Sequence, residues 1–382
     1  MKKLLTTLMM TVALTGGHAA PAQGDYKELT DILGRDAQIR FVTPTGVLTG
    51  FIFGEGDNDF TAFVYQDGQM KLLPPPERAV SSLGFAVSDD GRVVAGTAGM
   101  QNLIDGINRS PIRSLAIWET GREPFFADTY ELYQPAVRGI TPDGSVAAAM
   151  GALTSVLLCP PGAGQGDPRC SESISDLYVE NGRPRQLNSG RLGRMSSNGR
   201  RLLDTNRLID SDGKFIREYD FLAALEVSES QGRTHEKITA DNLRKKKYTH
   251  YFEMEALNQD ASVAAGTLTA KRNIPASWSE HYFVRWRADG SLDIIDLGEK
   301  RYFVESMSDD GRRVLLHHGY YYYVWTDEHG LLPITDYLRN LGVKFDYEVV
   351  ASSAFTAMSR DGQCFAGNNR DKDRSFIICA ER

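Results

Sequence analysis

A hairpin motif recurs along the chain and constrains its fold more than any other feature. The motif has apolar residues, a Ser, Thr or Asn, a turn with Gly or with Ala261 in its place, and an apolar run that mostly ends in small residues. Six copies are clear, and a weaker one precedes them. Asp-Gly and Asn-Gly accept the positive φ of tight turns, so each copy predicts a β-hairpin. The turn positions are Gly46, Gly91, Gly144, Gly199, Ala261, Gly311 and Gly362.

A second pair of strand-like segments follows most of these hairpins. The first segment often carries an aromatic residue and the second is rich in Leu, Pro or Asp, as in residues 282–297 and 321–336. Four strands in each repeat of about 50 residues form one blade of a β-propeller. A single blade cannot bury both its faces, so it must stack against neighbours around an axis. The sequence therefore predicts an all-β, seven-bladed propeller of four-stranded antiparallel blades.

The two ends of the chain predict how the ring closes. The seventh copy has its hairpin and a third strand at residues 375–380, but no fourth. Residues 26–33 precede the first hairpin without a partner of their own, and they resemble residues 332–338, which occupy a fourth-strand position. We therefore expect the N-terminal strand to complete the last blade, which would remove both free sheet edges.

The first 22 residues predict export. Lys2 and Lys3 precede an apolar run at residues 4–15, and small residues follow with a cleavage site near Ala22. This is the pattern of a secretory signal peptide, and its core is too short to span a bilayer. We expect residues 1–22 to be removed and residues 23–382 to form one domain in the periplasm or outside the cell. The chain would then be a monomer without a transmembrane segment.

The charge of the chain argues against a nucleic-acid partner. The net charge is −7, and it becomes −9 once the two lysines leave with the signal peptide, whereas nucleic acid favours a basic face. The one basic run, at residues 244–247, is flanked by acidic residues and is typical of a solvated loop or helix face.

Four cysteines in an oxidising compartment predict two disulfides. Cys159 and Cys170 bracket a segment rich in Pro and Gly that contains no core-forming residue. Cys364 and Cys379 lie on two predicted strands, nearly symmetric about the turn between them. The spacing alone leaves three pairings open.

The alternation of the Ser-x-Asp-Gly hairpin with an Ala-Phe and Gly-x-x-x-Leu-Pro segment resembles the HAF-type extracellular repeat of secreted bacterial proteins. Residues 334–342, 357–362 and 376–380 carry the resemblance best. The motif is similar, more distantly, to the propeller repeats of the TolB protein. Both resemblances imply an exported propeller. Neither implies a catalytic residue, because the shared motif is structural.

Familiar catalytic motifs are missing from the sequence. It has no Gly-x-Ser-x-Gly elbow, no His-Glu-x-x-His pair and no Gly-rich phosphate loop, so we expect no cofactor. Residues 88–91 offer only two carboxylates beside a tight turn, whereas a calcium loop needs several oxygen ligands in a fixed arrangement. We therefore expect these carboxylates to stabilise the turn. His317 and His318 are adjacent on a predicted strand and would point to opposite faces, so we expect no metal there. The tyrosines at 320–323 favour packing between blades.

Candidate binding residues lie on the predicted connections between second and third strands, at residues 97–114, 151–176 and 267–281. Connections of uneven length are where repeat scaffolds carry function. Their cationic and aromatic groups could hold a sugar, an anion or a peptide, although ordinary surface loops have a similar composition. The candidates are Asn108, Arg109, Arg113, Lys271, Arg272, Trp278 and His281.

Three functions remain open on the sequence. The leading hypothesis is an exported, non-enzymatic module that binds an envelope or extracellular protein or glycan through one loop face. The alternative is a hydrolase or lyase with its site at the propeller axis, and a structural scaffold comes third. A cluster of titratable side chains at the axis would favour the enzyme.

Overall fold

We describe the chain from a computed structural model. The described residues are 25–34, 36–55, 59–104, 107–127, 132–153, 174–187, 192–245, 248–272, 279–297, 300–369 and 373–380. The predicted signal peptide and the pair Cys159 and Cys170 lie outside these ranges and stay predictions. Within them, no helix has the length and apolar character needed to cross a bilayer.

Seven four-stranded antiparallel sheets confirm the predicted propeller. The first strand, β1 (Asp25–Glu28), belongs to the last sheet. Blades 1 to 3 comprise β2 (Ala37–Val42), β3 (Leu48–Phe53), β4 (Phe60–Gln66), β5 (Gln69–Leu73); β6 (Ala79–Val87), β7 (Val93–Ile104), β8 (Ile107–Glu119), β9 (Phe125–Phe126); and β10 (Leu132–Ile140), β11 (Val146–Leu153), β12 (Ile174–Glu180), β13 (Arg183–Leu187).

The other four blades follow the same order. They comprise β14 (Leu192–Met195), β15 (Arg201–Asp204), β16 (Arg207–Asp210), β17 (Phe215–Glu218); β18 (Tyr248–Leu257), β19 (Ala264–Arg272), β20 (Ser279–Trp286), β21 (Leu292–Asp296); β22 (Phe303–Met307), β23 (Arg313–His318), β24 (Tyr321–Thr326), β25 (Gly330–Pro333); and β26 (Ala354–Met358), β27 (Cys364–Asn369), β28 (Arg374–Cys379). The first strands of successive blades contact one another, and β26 contacts β2, so these seven strands surround the axis.

The N-terminal strand closes the ring as the sequence predicted. β1 pairs antiparallel with β28, with Tyr26 opposite Ile378, and completes the sheet that β26 and β27 begin. Leu29 continues the pairing with an N–H that donates to the Ser375 carbonyl oxygen at 2.8 Å. Because β1 covers β28, the last blade has the same four strands as the others.

The predicted extent of two fourth-strand segments was wrong. Residues 26–33 form β1 followed by helix α1 (Thr30–Leu33), and residues 332–338 pass from β25 into helix α4 (Ile334–Asn340). Pro333 ends the strand and precedes the helix, where its missing N–H breaks no hydrogen bond. Tyr337 and Leu338 then lie within one turn of Ile334 and are buried with it.

Helices in the described chain all lie in connections from one blade to the next. Besides α1 and α4, they are α2 (Phe221–Ser230) and α3 (Ala240–Arg244), between blades 4 and 5, and α5 (Tyr347–Ala351), between blades 6 and 7. The predicted basic run begins at the end of α3, where Lys245 is exposed and pairs with Asp241. In an antiparallel blade these connections leave from the face opposite the Asp-Gly turns. We call it the helix-bearing face.

A bulge in every inner strand explains the glycine at the end of the motif in several blades. Each inner strand shifts in register against the second strand, as between Met254 and Ala256. Opposite this bulge, a Cβ on Gly266 would lie 2.0 Å from the Glu253 carbonyl oxygen. The second strand of blade 5 therefore has no room for a side chain here, and Gly96 of blade 2 meets the Leu83 carbonyl oxygen in the same way. Blades 3 and 6 have Ala149 and Leu316 at this position.

Candidate functional site

The predicted long loop at residues 97–114 is a pair of strands. β7 continues to Ile104 and β8 begins at Ile107, with Asn102 opposite Arg109 and Gly99 opposite Arg113. The sequence between these strands is Asp105-Gly106, the dipeptide that favours tight hairpin turns. The loop assignment was wrong because this second turn signal was not used.

Blade 5 carries the other predicted residues, and most of them also lie on strands. Lys271 and Arg272 end β19, whereas His281 is on β20 opposite Thr269. The Thr269 hydroxyl and His281 Nδ1 are 3.1 Å apart, and burial lowers the pKa of His281, with a smaller contribution from the charge of Arg301. Trp278 lies outside the described residues, as do residues 154–173 of the third predicted loop. The structure thus divides the predicted set between blades 2 and 5.

Arg113 is half-buried on the helix-bearing face and stacks on an aromatic cluster. Its guanidinium lies 5.2 Å from the centre of the Phe60 ring. Phe60 packs edge-on against Phe51 and Phe53, and the Phe53 side chain is 42% exposed. We call Phe51, Phe53 and Phe60 the Phe cluster. On the far side of the cluster, the Arg40 guanidinium lies 5.3 Å from the Phe51 ring.

Arg113 has no counter-ion within the described part of the chain. It makes no hydrogen bond and no ion pair there, although Asp59 directly precedes Phe60. Burial alone lowers the pKa of Arg113. A cation removed from water without a partner destabilises the fold, so Arg113 is a strong candidate for a residue kept for binding.

Arg194 lies on the inner strand of blade 4 and links it to the inner strands of two other blades. Its Nε donates to the Glu255 carbonyl oxygen in blade 5 at 3.1 Å, and its Nη2 donates to the Glu305 carbonyl oxygen in blade 6 at 3.2 Å. One side chain of blade 4 thus binds the inner strands of the next two blades. The inner edges of β18 and β22 are therefore bonded by a side chain rather than left open.

The carboxyl groups of Glu255 and Glu305 form the titratable part of this axial cluster. A Glu255 oxygen accepts the Val304 N–H at 3.2 Å, and burial raises the pKa of Glu255 to about 7. Glu305 lies 3.1 Å from Nε2 of His317, and this contact raises the pKa of His317. We group Arg194, Glu255, Glu305 and His317 as the axial cluster.

His317 and His318 point to opposite sides of β23, as predicted. His317 stacks between Phe303 and Tyr322, with ring centres 5.2 and 5.5 Å away, whereas the His318 ring lies 5.5 Å from Tyr302. No group of three or more metal-ligating side chains was found in the described ranges.

The tyrosine run divides at the tip of the β23–β24 hairpin. Tyr322 packs on Phe355 of blade 7, and Tyr323 packs against the cluster that contains Phe283 of blade 5, which confirms the predicted packing between blades for those two. The packing prediction was wrong for Tyr320 and Tyr321, which are 87% and 65% exposed at the tip.

A second set of cross-axis contacts holds the Asp-Gly face together. The Arg360 guanidinium of blade 7 bonds the Asp89 carboxylate of blade 2, and the Ser197 hydroxyl donates to Asp309 of blade 6 at 2.6 Å. The Asp309 N–H also donates to the Arg360 carbonyl oxygen at 2.6 Å. Burial raises the pKa of Asp309, against the opposing effects of Ser197 and Arg360.

The turn carboxylates are occupied by the turns themselves, as expected. Ser88 donates to Asp90 at 2.7 Å, Asp90 accepts the Arg92 N–H at 3.0 Å, and the Ser88 hydroxyl accepts the Val93 N–H. These bonds hold the pKa of Asp90 below its usual range, although burial, the largest single influence, opposes them. The same arrangement recurs around Asp143, Asp310 and Asp361.

Sequence reasoning missed the axial cluster, although the repeat register contains a signal for it. Glu255 and Glu305 are the residues left unpaired by the bulges of their inner strands. When the seven copies of the repeat are aligned, the unpaired bulge residues fall at one position, and charged residues are common there. They are Arg40, Phe85, Arg138, Gly193, Glu255, Glu305 and Thr356.

Comparison with solved structures finds other propellers at low identity. TolB from Acinetobacter baumannii is 11% identical with a TM-score of 0.37, over 88% of this chain and 64% of TolB. The β-propeller domain of the Trilobed protease from Pyrococcus furiosus is 11% identical with a TM-score of 0.36, over 87% and 79% of the two chains. Dipeptidyl peptidase 4 from Porphyromonas gingivalis is 10% identical with a TM-score of 0.44, over 88% and 51%.

Likenesses of this degree say nothing about activity or ligand. This chain spans less than two thirds of the TolB and dipeptidyl peptidase chains. No family model and no curated protein match it, so the HAF-type repeat stays a resemblance.

Proposed function

We propose that this protein is an exported, non-enzymatic binding module that recognises a protein or glycan through its helix-bearing face. One observation carries the proposal: Arg113 is half-buried over Phe60, which packs on the exposed Phe53, and it has no counter-ion among the described residues. Arginine and large aromatic residues dominate the binding energy of protein interfaces. Export rests on the predicted signal peptide.

The engagement of the axial side chains supports the same proposal. The Arg194 guanidinium bonds carbonyl oxygens of two other blades, and Glu255 accepts an N–H from the inner strand of blade 6. An inner strand is a sheet edge with unpaired N–H and C=O groups, which must be covered. These contacts give the axial cluster a structural role that needs no substrate.

A binding comparison tests this proposal. The mature chain, residues 23–382, is immobilised and exposed to envelope extract and to a glycan array, beside the variants Phe53→Ser and Arg92→Ser. Arg92 is 70% exposed on the Asp-Gly face and serves as the matched control. We expect Phe53→Ser to lose the partners that the natural chain retains, and Arg92→Ser to keep them. Equal retention by all three proteins, or none, would contradict the proposal.

A hydrolase or lyase is the second candidate, and the axial cluster favours it. Glu255, with a pKa raised to about 7, is suited to donate a proton near neutral pH, and the Glu305–His317 pair offers a second titratable group. Turnover of any compound in a hydrolase and lyase panel that Glu255→Gln abolishes, while Phe53→Ser retains it, would favour this candidate over binding.

A further inference from the structure

The Phe cluster and Arg113 form a contact surface of defined chemistry between blades 1 and 2. Phe53 and Phe60 are cross-strand partners at the helix-bearing end of β3 and β4, so their rings meet at that rim. Arg113 comes to the same place from β8 of the next blade. The surface therefore depends on the stacking of two blades and not on a single loop.

Among the described residues, no acidic side chain is found paired with Arg113 of this surface. Burial lowers the pKa of Arg113, and its guanidinium stays a cation at neutral pH. The chain as a whole carries a net charge of −7. A local positive site on an acidic protein selects a ligand with one well-placed negative group over a polyanion, which the rest of the surface repels.

The geometry of the rings favours a side chain over a sugar ring. The planes of Phe51, Phe53 and Phe60 are inclined to one another by 64° to 87°, so the cluster presents edges and a notch rather than one flat platform. An apolar side chain fits against such edges, whereas a sugar stacks on an open aromatic face. Phe53 is the most exposed of the three rings, because Phe60 is half-buried and Phe51 is only 5% exposed.

We propose that this surface binds an acidic residue flanked by an apolar residue on a partner protein, with the carboxylate on Arg113 and the apolar side chain against Phe53 and Phe60. This inference rests on the proposed binding function and selects a protein partner within it. Arginine pairs with a carboxylate through two parallel hydrogen bonds, and its stacking on Phe60 leaves its edge for that pairing.

A peptide array tests the inference directly. Two adjacent central positions of an otherwise Gly-Ser peptide carry every pair of amino acids, and fluorescently labelled mature protein is applied to the array. We expect retention on peptides with Asp or Glu beside Leu, Ile or Phe. Arg113→Gln should weaken this binding roughly 30-fold, as expected when one partner of a desolvated charge pair is removed.

Three variants make the result specific. Arg113→Glu should move the preference from Asp and Glu to Lys and Arg, a change that misfolding cannot produce. Phe53→Ser should keep the preference for an acid and lose the preference for an apolar neighbour. Arg122→Gln removes one positive charge from the same blade on the Asp-Gly face, where Arg122 is 70% exposed, and should bind like the natural chain.

Either of two results overturns the inference: the natural chain shows no acidic preference on the array, or Arg113→Gln and Arg113→Glu leave that preference unchanged. If Phe53-dependent binding of a glycan or an envelope protein persists beside such a result, only this inference fails. If that binding is absent as well, the proposed function fails with it.

Discussion

The guanidinium of Arg360 bonds the carboxylate of Asp89 across the propeller axis, and this contact bypasses blade 1. The side chain of Arg360 is 10% exposed and that of Asp89 33%. Removal of Asp89 leaves a buried cation whose Nη1 already has no hydrogen-bond partner among the described residues. We expect Asp89→Ala to lower the free energy of unfolding by about 2 kcal/mol, measured by urea unfolding.

The exposed ion pair between Asp90 and Arg92 is the control for that measurement. Arg92 is 70% exposed, and exposed pairs contribute little. Arg92→Ala should lower the free energy of unfolding by about 0.5 kcal/mol or less. If Asp89→Ala and Arg92→Ala lower the free energy of unfolding equally, the Arg360–Asp89 contact contributes no more to stability than an exposed ion pair.

The pKa of Glu255, raised from 4.5 to about 7 by burial, makes stability depend on pH. The folded state binds this proton more tightly than the unfolded state. The contribution of this group is therefore fully present below pH 4.5 and is lost as the pH rises to about 7. Glu255→Gln should leave stability at pH 4.5 nearly unchanged and raise it at pH 8 by on the order of 2 kcal/mol.

His317 acts in the same direction, because its raised pKa gives stability that is lost above that pKa. Adding His317→Asn to Glu255→Gln should therefore make the remaining loss of stability with rising pH smaller. Glu77→Gln removes an exposed carboxylate and is the control. A pH profile of unfolding that is the same for the natural chain and for Glu255→Gln would refute this assignment.

Cys364 and Cys379 face each other on β27 and β28 and are joined by a disulfide, as the sequence allowed. The bond closes a separation of 15 residues, for which chain entropy predicts a contribution of about 3 kcal/mol. We expect Cys364→Ala with Cys379→Ala to lose about that amount in urea unfolding. Peptide mapping without reductant should find the second predicted bond, between Cys159 and Cys170.

Gly266 tests the role of the inner-strand bulge. An added Cβ would overlap the Glu253 carbonyl oxygen at 2.0 Å, so Gly266→Ala should destabilise the fold by about 3 kcal/mol or prevent folding. At Gly193, the nearest atom to an added Cβ is an ordinary 3.5 Å away. Gly193→Ala should therefore be tolerated, and thermal unfolding of the two variants decides the matter.

Arg113 separates binding from stability. Because its half-buried guanidinium has no described counter-ion, Arg113→Met should keep the packing on Phe60 and remove an unfavourable charge. We expect the free energy of unfolding to stay equal or to rise by about 1 kcal/mol, while acidic peptides are no longer retained. A clear loss of stability would mean that the guanidinium is held for structural reasons.

Much of the fold was predictable because it is local and repeated. The positive φ of Gly91 and Gly311, and of Ala261 in their place, appears in the sequence as turn chemistry. By contrast, the helical part of α1 and α4 was missed, since four to seven residues are too few for a clear helical period. The hairpin of β7 and β8 was missed although Asp105-Gly106 marked it.

The sequence by itself determined the blade count, the four-stranded pattern and the closure by β1, because turn residues and strand periodicity act within a single blade. Only the tertiary structure decided which side chains meet at the axis and between blades. Arg194 reaches Glu305 over 111 positions of sequence, and Arg113 reaches Phe60 from the neighbouring blade. Such contacts follow from how seven blades pack around an axis, and no local pattern records that packing.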